Sequence, residues 1–99
     1  DTRGAALYFS RSPIPFLPGP AEAGHDVYKH IGLYAFRRDF LLTFSALPQT
    51  PLEQAESLEQ LRALEHGFPI RTVATKYESI EVDTPEDLER VRQLMATRV

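Results

Sequence analysis

His30 and Tyr34 are the first pair of side chains that could take part in binding, because they lie four residues apart in the stretch Tyr28–Phe36. Apolar residues alternate there with a period of two, which predicts a strand, so the imidazole and the phenol would project from one strand face. Side chains at the carboxyl end of a strand in an α/β protein are well placed to meet a ligand. The alternative is a half-buried strand whose His and Tyr are satisfied by neighbouring groups, and the pattern alone favours this alternative.

Two charged residues follow other predicted strands and suggest anion and metal chemistry. Arg11 comes just after Ala5–Phe9, and a guanidinium can bind a carboxylate or a phosphate through two parallel hydrogen bonds. Asp83 lies between the short strand Ile80–Val82 and the helix cap Thr84, where a carboxylate could bind a metal ion. Each has a simpler alternative. Arg11 could be a solvated loop residue, and Asp83 could add only to the capping of the helix.

Glu59 is a third charged residue in an unusual place. A single helix is predicted from the cap Thr50 to about His66, where Gly67 would end it. Its apolar residues recur every three positions and bury a wide arc, and Glu59 lies inside this arc. A carboxylate that points inward needs a partner. Arg62 could supply a structural partner and a ligand hydroxyl a functional one, and the spacing favours Arg62.

The elements that must position these residues are strands and helices along one chain, which predicts an α/β fold. The predicted strands are Ala5–Phe9, Tyr28–Phe36, Ile70–Thr75 and Ile80–Val82. The predicted helices are about Arg38–Leu47, Pro51–His66 and a last helix that begins at Pro85. So few strands make a small parallel sheet, and we expect the 99 residues to be part of a larger protein.

Composition excludes several classes of protein. Hydrophobic residues make up 42% of the chain, enough for the core of one domain. A net charge of −3 and a pI near 5.6 argue against a nucleic-acid-binding protein, which would carry a basic face. The chain has no Cys, which excludes disulfides and thiolate metal sites and suits a reducing compartment. With no apolar run near the ~18 residues of a membrane span and no signal peptide, we expect a soluble, cytoplasmic protein.

The segment Ser12–Pro20 is rich in proline, which excludes a helix or a central strand and predicts an extended loop. Its apolar part, Ile14–Leu17, is too hydrophobic for a free linker, so we expect it to pack against another surface. Ala21–Val27 is small and polar, and we expect it to be the most mobile part of the chain. His25 is expected to be an ordinary surface histidine.

Four motifs along the chain can be considered together: Tyr8-Phe9-Ser10-Arg11-Ser12-Pro13-Ile14-Pro15, Lys29-His30-Ile31-Gly32-Leu33-Tyr34-Ala35-Phe36-Arg37, Leu58-Glu59-Gln60-Leu61-Arg62 and Val82-Asp83-Thr84-Pro85-Glu86-Asp87-Leu88. In their order and at similar intervals they resemble one family, the 3-deoxy-manno-octulosonate cytidylyltransferases, also called CMP-KDO synthetases. Each motif alone is weak, but four in register cover nearly the whole chain except Ala21–Val27. They match the C-terminal part of that family's chain, less than half of it. The nucleotide-binding loop and a first metal-binding aspartate are therefore expected to lie outside these residues.

The resemblance implies that residues 1–99 are the C-terminal portion of a single cytidylyltransferase domain. Its fold would be a three-layer αβα, Rossmann-like nucleotide-diphospho-sugar-transferase fold with a mixed sheet. The implied reaction joins CTP and the acidic sugar KDO to give CMP-KDO and pyrophosphate for lipopolysaccharide synthesis, with Mg²⁺ on the phosphates. By position in the motifs, Arg11 would bind the KDO carboxylate, His30, Tyr34, Glu59 and Gln60 would contact sugar hydroxyls, and Asp83 would ligate Mg²⁺.

The resemblance also implies binding partners, and two alternative functions stay open beside it. The N-terminal part of the same enzyme would complete the domain, and two copies would form a homodimer to which Ile14–Leu17 could contribute. Neither a nucleic acid nor a membrane is expected as a partner. One rival is a cytidylyltransferase for another acidic sugar, such as sialic acid. The other is a non-catalytic interaction or assembly module, which the lack of a glycine-rich phosphate loop in the sequence would suit.

Overall fold

The fold is described from a computed structural model, in which residues 1–19 and 26–97 can be described. Their helices are α1 (Arg38–Ala46), α2 (Pro51–Glu56), α3 (Leu61–Glu65) and α4 (Pro85–Ala96). Most of the predicted mobile segment, including His25, lies outside the described residues; only Asp26 and Val27 are inside them. In the described part of the chain, no helix combines the length and apolar character needed to cross a membrane.

Helix α1 begins as predicted and carries the aromatic part of the core. Phe40 and Phe44 lie one turn apart on the same face, with ring centroids 6.1 Å apart. Phe36 stacks on Phe40 from the segment before the helix, and Phe68 meets Phe40 edge-on at 5.1 Å from the segment after α3. Phe44 is only 7% exposed. These contacts fix the end of the Tyr28–Phe36 segment against the helical part of the chain.

The long helix predicted from Thr50 to His66 is wrong, because the chain forms two short helices there. Ser57 has φ +53, a left-handed conformation that no α-helix can continue through. The Leu58 N–H then donates to the Glu53 carbonyl at 3.2 Å, and a tight turn leads into α3. Glu59 therefore lies in the turn and is exposed, not within a buried helical arc.

The predicted stop at Gly67 is confirmed. Gly67 has φ +83, a conformation that glycine adopts without a steric penalty. The Phe68 N–H donates to the Ala63 carbonyl at 2.9 Å and the Gly67 N–H to the Leu64 carbonyl at 3.0 Å. This pair of hydrogen bonds is a Schellman motif, and it turns the chain out of α3.

Helices α2 and α3 pack together around a buried ion pair. Glu53 is 5% exposed and binds the Arg62 guanidinium through both carboxylate oxygens, at 2.9 Å to Nε and 2.5 Å to Nη2. The guanidinium lies over the Phe44 ring, 5.0 Å from its centroid. Leu61 is completely buried beside them, which contributes about 2 kcal/mol. The predicted Glu59–Arg62 pair is therefore wrong, because Arg62 binds Glu53 instead.

The predicted strands show almost no pairing among the described residues. Ala5 forms a single antiparallel bridge with Arg71, flanked by hydrogen bonds from the Ala6 N–H to Ile70 and from the Thr72 N–H to Gly4, both 2.8 Å. A strand becomes part of a sheet only when its N–H and C=O groups find neighbouring strands. The mixed sheet therefore stays a prediction.

The predicted strand Tyr28–Phe36 also contains a local turn. The Leu33 N–H donates to the Ile31 carbonyl at 2.8 Å, which closes a three-residue turn centred on Gly32. Leu33 is 85% exposed, so the described residues do not cover the predicted apolar face at this position.

The proline-rich loop likewise leaves its apolar side chains uncovered. Phe16 is 85% exposed, and Ile14 and Leu17 are 45% and 43% exposed. The expectation that Ile14–Leu17 packs against another surface is therefore not met within the described residues.

Candidate functional site

The Arg11 side chain lies against the C-terminal end of α2. Its Nε–H donates to the Glu56 carbonyl and one Nη2–H donates to the Ser57 carbonyl, each at 2.8 Å. Carbonyls at a helix C-terminus lack partners within the helix, and a cation there also offsets the helix dipole. Arg11 is exposed but held in place, so the alternative of an arginine that is merely solvated in a loop is wrong.

The Glu56 carboxylate holds the same segment from the other side. Its Oε1 accepts the Arg11 backbone N–H at 3.0 Å, and its Oε2 accepts the Tyr8 hydroxyl at 2.8 Å. The Arg11 N–H, and then the Tyr8 hydroxyl, lower the pKa of Glu56, so this carboxylate is charged at neutral pH. Donation to Glu56 raises the pKa of Tyr8, so the phenol keeps its proton. The segment Tyr8–Arg11 is thus fixed to the corner between α2 and α3.

The Arg11 guanidinium has donors left for a ligand. Arginine carries five N–H donors in a planar fork, and two of them bind the helix end. The other three have no acceptor among the residues that the structure describes. The occupied edge is the one formed by Nε and Nη2. The outer edge, formed by Nη1 and Nη2, still has one N–H on each nitrogen. An anionic group such as a carboxylate can be bound there in bidentate fashion.

The His30 and Tyr34 side chains meet, but not on a strand face as predicted: in a strand they would lie roughly 13 Å apart, and the turn at Gly32 brings them together. The His30 Nε2 and the Tyr34 hydroxyl are hydrogen-bonded to each other, and their ring centroids are 5.6 Å apart. Phe9 packs against His30 with ring centroids at 5.0 Å. Burial raises the pKa of Tyr34, so its phenol is neutral at physiological pH. The pair sits next to the segment that carries Arg11, because Phe9 is only two residues from it.

Glu59 and Gln60 lie in the turn between α2 and α3, close in sequence to the Ser57 carbonyl that Arg11 contacts. Glu59 lines an open depression of about 430 Å³ together with Gln49, Glu53, Gln54, Ser57 and Arg62. The Gln60 Nε2 is buried and has no hydrogen-bond partner among the described residues. A buried amide donor without a partner is costly, which makes Gln60 suited to a ligand that supplies an acceptor.

Asp83 precedes α4, and its neighbour Asp87 performs the capping. Asp87 Oδ2 accepts the backbone N–H groups of Asp83 and Thr84, both at 3.2 Å, and Thr84 Oγ1 accepts the Asp87 N–H at 3.1 Å. These N–H groups, that of Asp83 first, lower the pKa of Asp87. The described hydrogen bonds do not use the Asp83 carboxylate. Among the described residues the Asp83 carboxylate thus takes no part in capping α4, and its metal role stays a prediction.

The structure brings some of the predicted site residues together and leaves one apart. Tyr8–Arg11 links the His30–Tyr34 pair, through Phe9, to the α2–α3 corner that carries Glu59 and Gln60. No hydrogen bond, ion pair or ring contact of the described residues joins Asp83 to them. The described residues also contain no group of three or more His, Asp or Glu side chains that could hold a metal ion by themselves.

Sequence reasoning missed Glu56 and Tyr8. Glu56 contacts residues 45 and 48 positions away, and no periodic pattern reports contacts at such a separation. The one signal in the sequence was indirect: Glu56 lies two residues before the motif Leu58–Arg62.

Comparison with known proteins gives one consistent family. The sequence profile described as "Cytidylyltransferase" matches residues 1–80. The 3-deoxy-manno-octulosonate cytidylyltransferase of Solibacter usitatus is 57% identical over 99 residues, which are 100% of this chain and 39% of the relative. The enzymes of that name from Syntrophotalea carbinolica and Synechococcus elongatus are each 56% identical over 100 residues. They match 92% and 99% of this chain and 39% and 40% of their own lengths.

The fold agrees with a solved structure of CMP:2-keto-3-deoxy-manno-octonic acid synthetase complexed with CTP. The TM-score is 0.85 at 52% identity, and the match covers 100% of this chain and 40% of that one. The chain thus spans about two fifths of the length of the curated relatives and of the structure it matches. The resemblance inferred from the four motifs is confirmed. With the family profile matching residues 1–80 of 99, the chain belongs to the cytidylyltransferase family.

Proposed function

We propose that this chain is the sugar-binding part of an enzyme that couples CTP to KDO, giving CMP-KDO and pyrophosphate. The observation that carries the proposal is the 57% identity to a 3-deoxy-manno-octulosonate cytidylyltransferase, which extends over all 99 residues. The geometry supports it, because the outer edge of Arg11 is built to receive an anionic group near polar side chains. The rest of the enzyme would supply the nucleotide-binding residues.

In this reaction the 2-hydroxyl of KDO attacks the α-phosphorus of CTP, a P–O bond forms and pyrophosphate leaves. Such a transfer needs positioning and charge stabilisation more than covalent chemistry from the protein. Arg11 would bind the sugar carboxylate, and His30, Tyr34, Glu59 and Gln60 would bind sugar hydroxyls. Together these contacts would hold the attacking hydroxyl in place.

A magnesium ion fits the donor chemistry at Asp83. Its carboxylate is exposed and makes no hydrogen bond to residues 1–19 or 26–97, whereas the Asp87 carboxylate accepts two backbone N–H groups. Mg²⁺ prefers oxygen ligands and is often bound by one or two carboxylates together with substrate phosphates. Asp83 would therefore be one ligand of the ion. When bound, Mg²⁺ would offset the negative charge of the phosphates.

A graft tests the proposed function. The matching segment of the Solibacter usitatus relative is replaced by this chain, and CMP-sugar formation is measured with KDO and with sialic acid in competition. We expect magnesium-dependent formation of CMP-KDO and little product from sialic acid. A folded graft that prefers sialic acid would show that KDO is not the substrate. A graft that binds CTP but uses neither sugar would refute the proposal.

The isolated chain is the matched control for this experiment. It lacks a glycine-rich loop that could cradle a triphosphate, so we expect it to release no pyrophosphate from CTP and KDO. Activity of the isolated chain, in material free of other enzymes, would show that the division of roles between the two parts is wrong.

We also propose that the complete enzyme is a homodimer and that Ile14–Leu17 contributes to its interface. The family resemblance implies the dimer, and the 85% exposure of Phe16 supports the loop as an interface. Light scattering of the graft should give the mass of two chains, and Phe16→Ser should shift it toward one.

A further inference from the structure

Glu56 belongs to a set of contacts that we call the Glu56 clamp. It consists of the Tyr8 hydroxyl and the Arg11 backbone N–H on the Glu56 carboxylate, and of the Arg11 guanidinium on the Glu56 and Ser57 carbonyls. Glu56 binds Arg11 at two places. Its carboxylate accepts the Arg11 backbone N–H, and its main-chain carbonyl accepts the Arg11 Nε–H.

The clamp determines the direction in which Arg11 presents its free donors. With the Nε and Nη2 edge bonded to the helix end, rotation of the guanidinium is restrained and its outer edge faces away from α2. An arginine without these bonds would have to be ordered when a ligand binds, at a cost in side-chain entropy. A charged Glu56 with a lowered pKa maintains the arrangement throughout the neutral pH range.

We propose that Glu56 is a positioning residue, which orients Arg11 for the carboxylate of the acidic sugar without touching the sugar itself. The claim that Arg11 binds the sugar rests on the proposed function. The claim that Glu56 orients Arg11 is independent of that function, because it is drawn from the contacts alone.

Glu65, the last residue of α3, offers a matched control because it acts on the opposite end of α2. Its Oε1 accepts the Leu52 N–H at 2.8 Å, so it too is a carboxylate that fixes one end of α2. None of the described hydrogen bonds joins Glu65 to Tyr8 or Arg11. Loss of Glu65 should therefore weaken the α2–α3 packing without releasing Arg11.

The experiment compares Glu56→Ala, Glu56→Gln and Glu65→Ala in the grafted enzyme described above. The first readout is the NMR signal of the Arg11 Nε–H, which is protected from solvent exchange while it is bonded to the Glu56 carbonyl. The second is the KM for KDO beside the KM for CTP. The third is the midpoint of thermal unfolding, which reports stability alone.

Glu56→Ala keeps the main-chain carbonyl that accepts the Arg11 Nε–H but releases the Arg11 backbone N–H and the Tyr8 hydroxyl. Without these two anchors the segment should move away from the helix end, so the Arg11 Nε–H should lose its protection and the KM for KDO should rise about tenfold, with the KM for CTP unchanged. Glu56→Gln should keep most of the protection of the Arg11 Nε–H and a KM for KDO near that of the unchanged graft. Its amide oxygen can accept the Arg11 backbone N–H, and its NH₂ group can donate to the Tyr8 oxygen. Glu65→Ala should lower the unfolding midpoint but leave both the Arg11 signal and the KM for KDO as they are.

Protection of the Arg11 Nε–H that survives Glu56→Ala would overturn the positioning role. So would a rise in the KM for KDO of the same size in Glu65→Ala. If protection is lost and the KM for KDO does not change, Glu56 orients Arg11 but the sugar is not its ligand, and the proposal fails at that step. A graft inactive with KDO would refute the proposed function, and the NMR comparison would still decide whether Glu56 positions Arg11.

Discussion

Replacing Glu53 by Gln removes the charge of the buried ion pair between α2 and α3 and keeps its shape. The carboxylate is 5% exposed and binds Arg62 through two oxygens at 2.9 and 2.5 Å. The amide can accept only one of these hydrogen bonds and turns a donor toward the guanidinium for the other. Losing one hydrogen bond of a charged pair costs about 2 kcal/mol. In a protein of the relatives' size this lowers the thermal unfolding midpoint by roughly 4–8 °C.

The assay is thermal unfolding of the grafted enzyme followed by circular dichroism, with Glu89→Gln as the matched control. Glu89 and Arg92 also form an ion pair, but it spans 3.7 Å on the surface of α4, with side chains 60% and 68% exposed. Such pairs contribute at most about 0.5 kcal/mol. Equal midpoints for Glu53→Gln and Glu89→Gln at pH 7 would refute the argument that the first pair stabilises the fold.

The pH dependence gives a second check on the same pair. The hydrogen bonds from Arg62 lower the pKa of Glu53 below its ordinary value of 4.5. The stabilisation is therefore complete above the unfolded-state pKa and is lost as the pH falls through the lower folded-state value. The midpoint difference between the unchanged graft and Glu53→Gln should be largest near pH 7 and shrink below about pH 4.5. A difference that grows on acidification would contradict the sign of the shift.

Three further substitutions in the grafted enzyme address the site and the helix break. Arg11→Lys should raise the KM for KDO about tenfold, because an ammonium cannot bind the helix end and a carboxylate in the same fork geometry; an unchanged KM would remove Arg11 from the site. Asp83→Asn should abolish most turnover with the fold intact, whereas Asp87→Asn should lower the unfolding midpoint and keep turnover. Near-normal magnesium-dependent turnover of Asp83→Asn would exclude the metal role. Ser57→Gly should raise the unfolding midpoint slightly, by the equivalent of about 0.5 kcal/mol. The left-handed conformation of Ser57 costs about 1–2 kcal/mol for a residue with a side chain, and glycine removes this cost. The entropic cost of ordering glycine is somewhat smaller, so the net effect is stabilising. A lower midpoint would contradict this.

Local features of the fold could be predicted from the sequence. The starts of α1 and α4 and the end of α3 at Gly67 follow from periodicity and from cap residues, which act within a few positions of the chain. The contact between His30 and Tyr34 did not follow in this way, because it depends on the turn at Gly32, which the period-two pattern did not indicate.

Features that depend on distant contacts could not be predicted. The apolar repeat from Leu52 to Leu64 indicated one helix, but Ser57 is left-handed at the point where Arg11, 46 positions away, binds its carbonyl. Once the helix was split, Glu59 moved into a turn and Arg62 paired with Glu53. The predicted strands needed neighbours that the described residues provide only at Ala5 and Arg71, so a sheet could not be tested.

The most direct test of the central claim, that this chain binds the sugar, is the effect of His30→Ala and Glu59→Ala on the two Michaelis constants of the grafted enzyme. Each substitution removes a polar contact worth roughly 1–3 kcal/mol to the sugar. We expect the KM for KDO to rise roughly five- to 150-fold, with the KM for CTP unchanged. A rise in the KM for CTP with that for KDO unchanged would contradict the claim and assign these residues to the nucleotide.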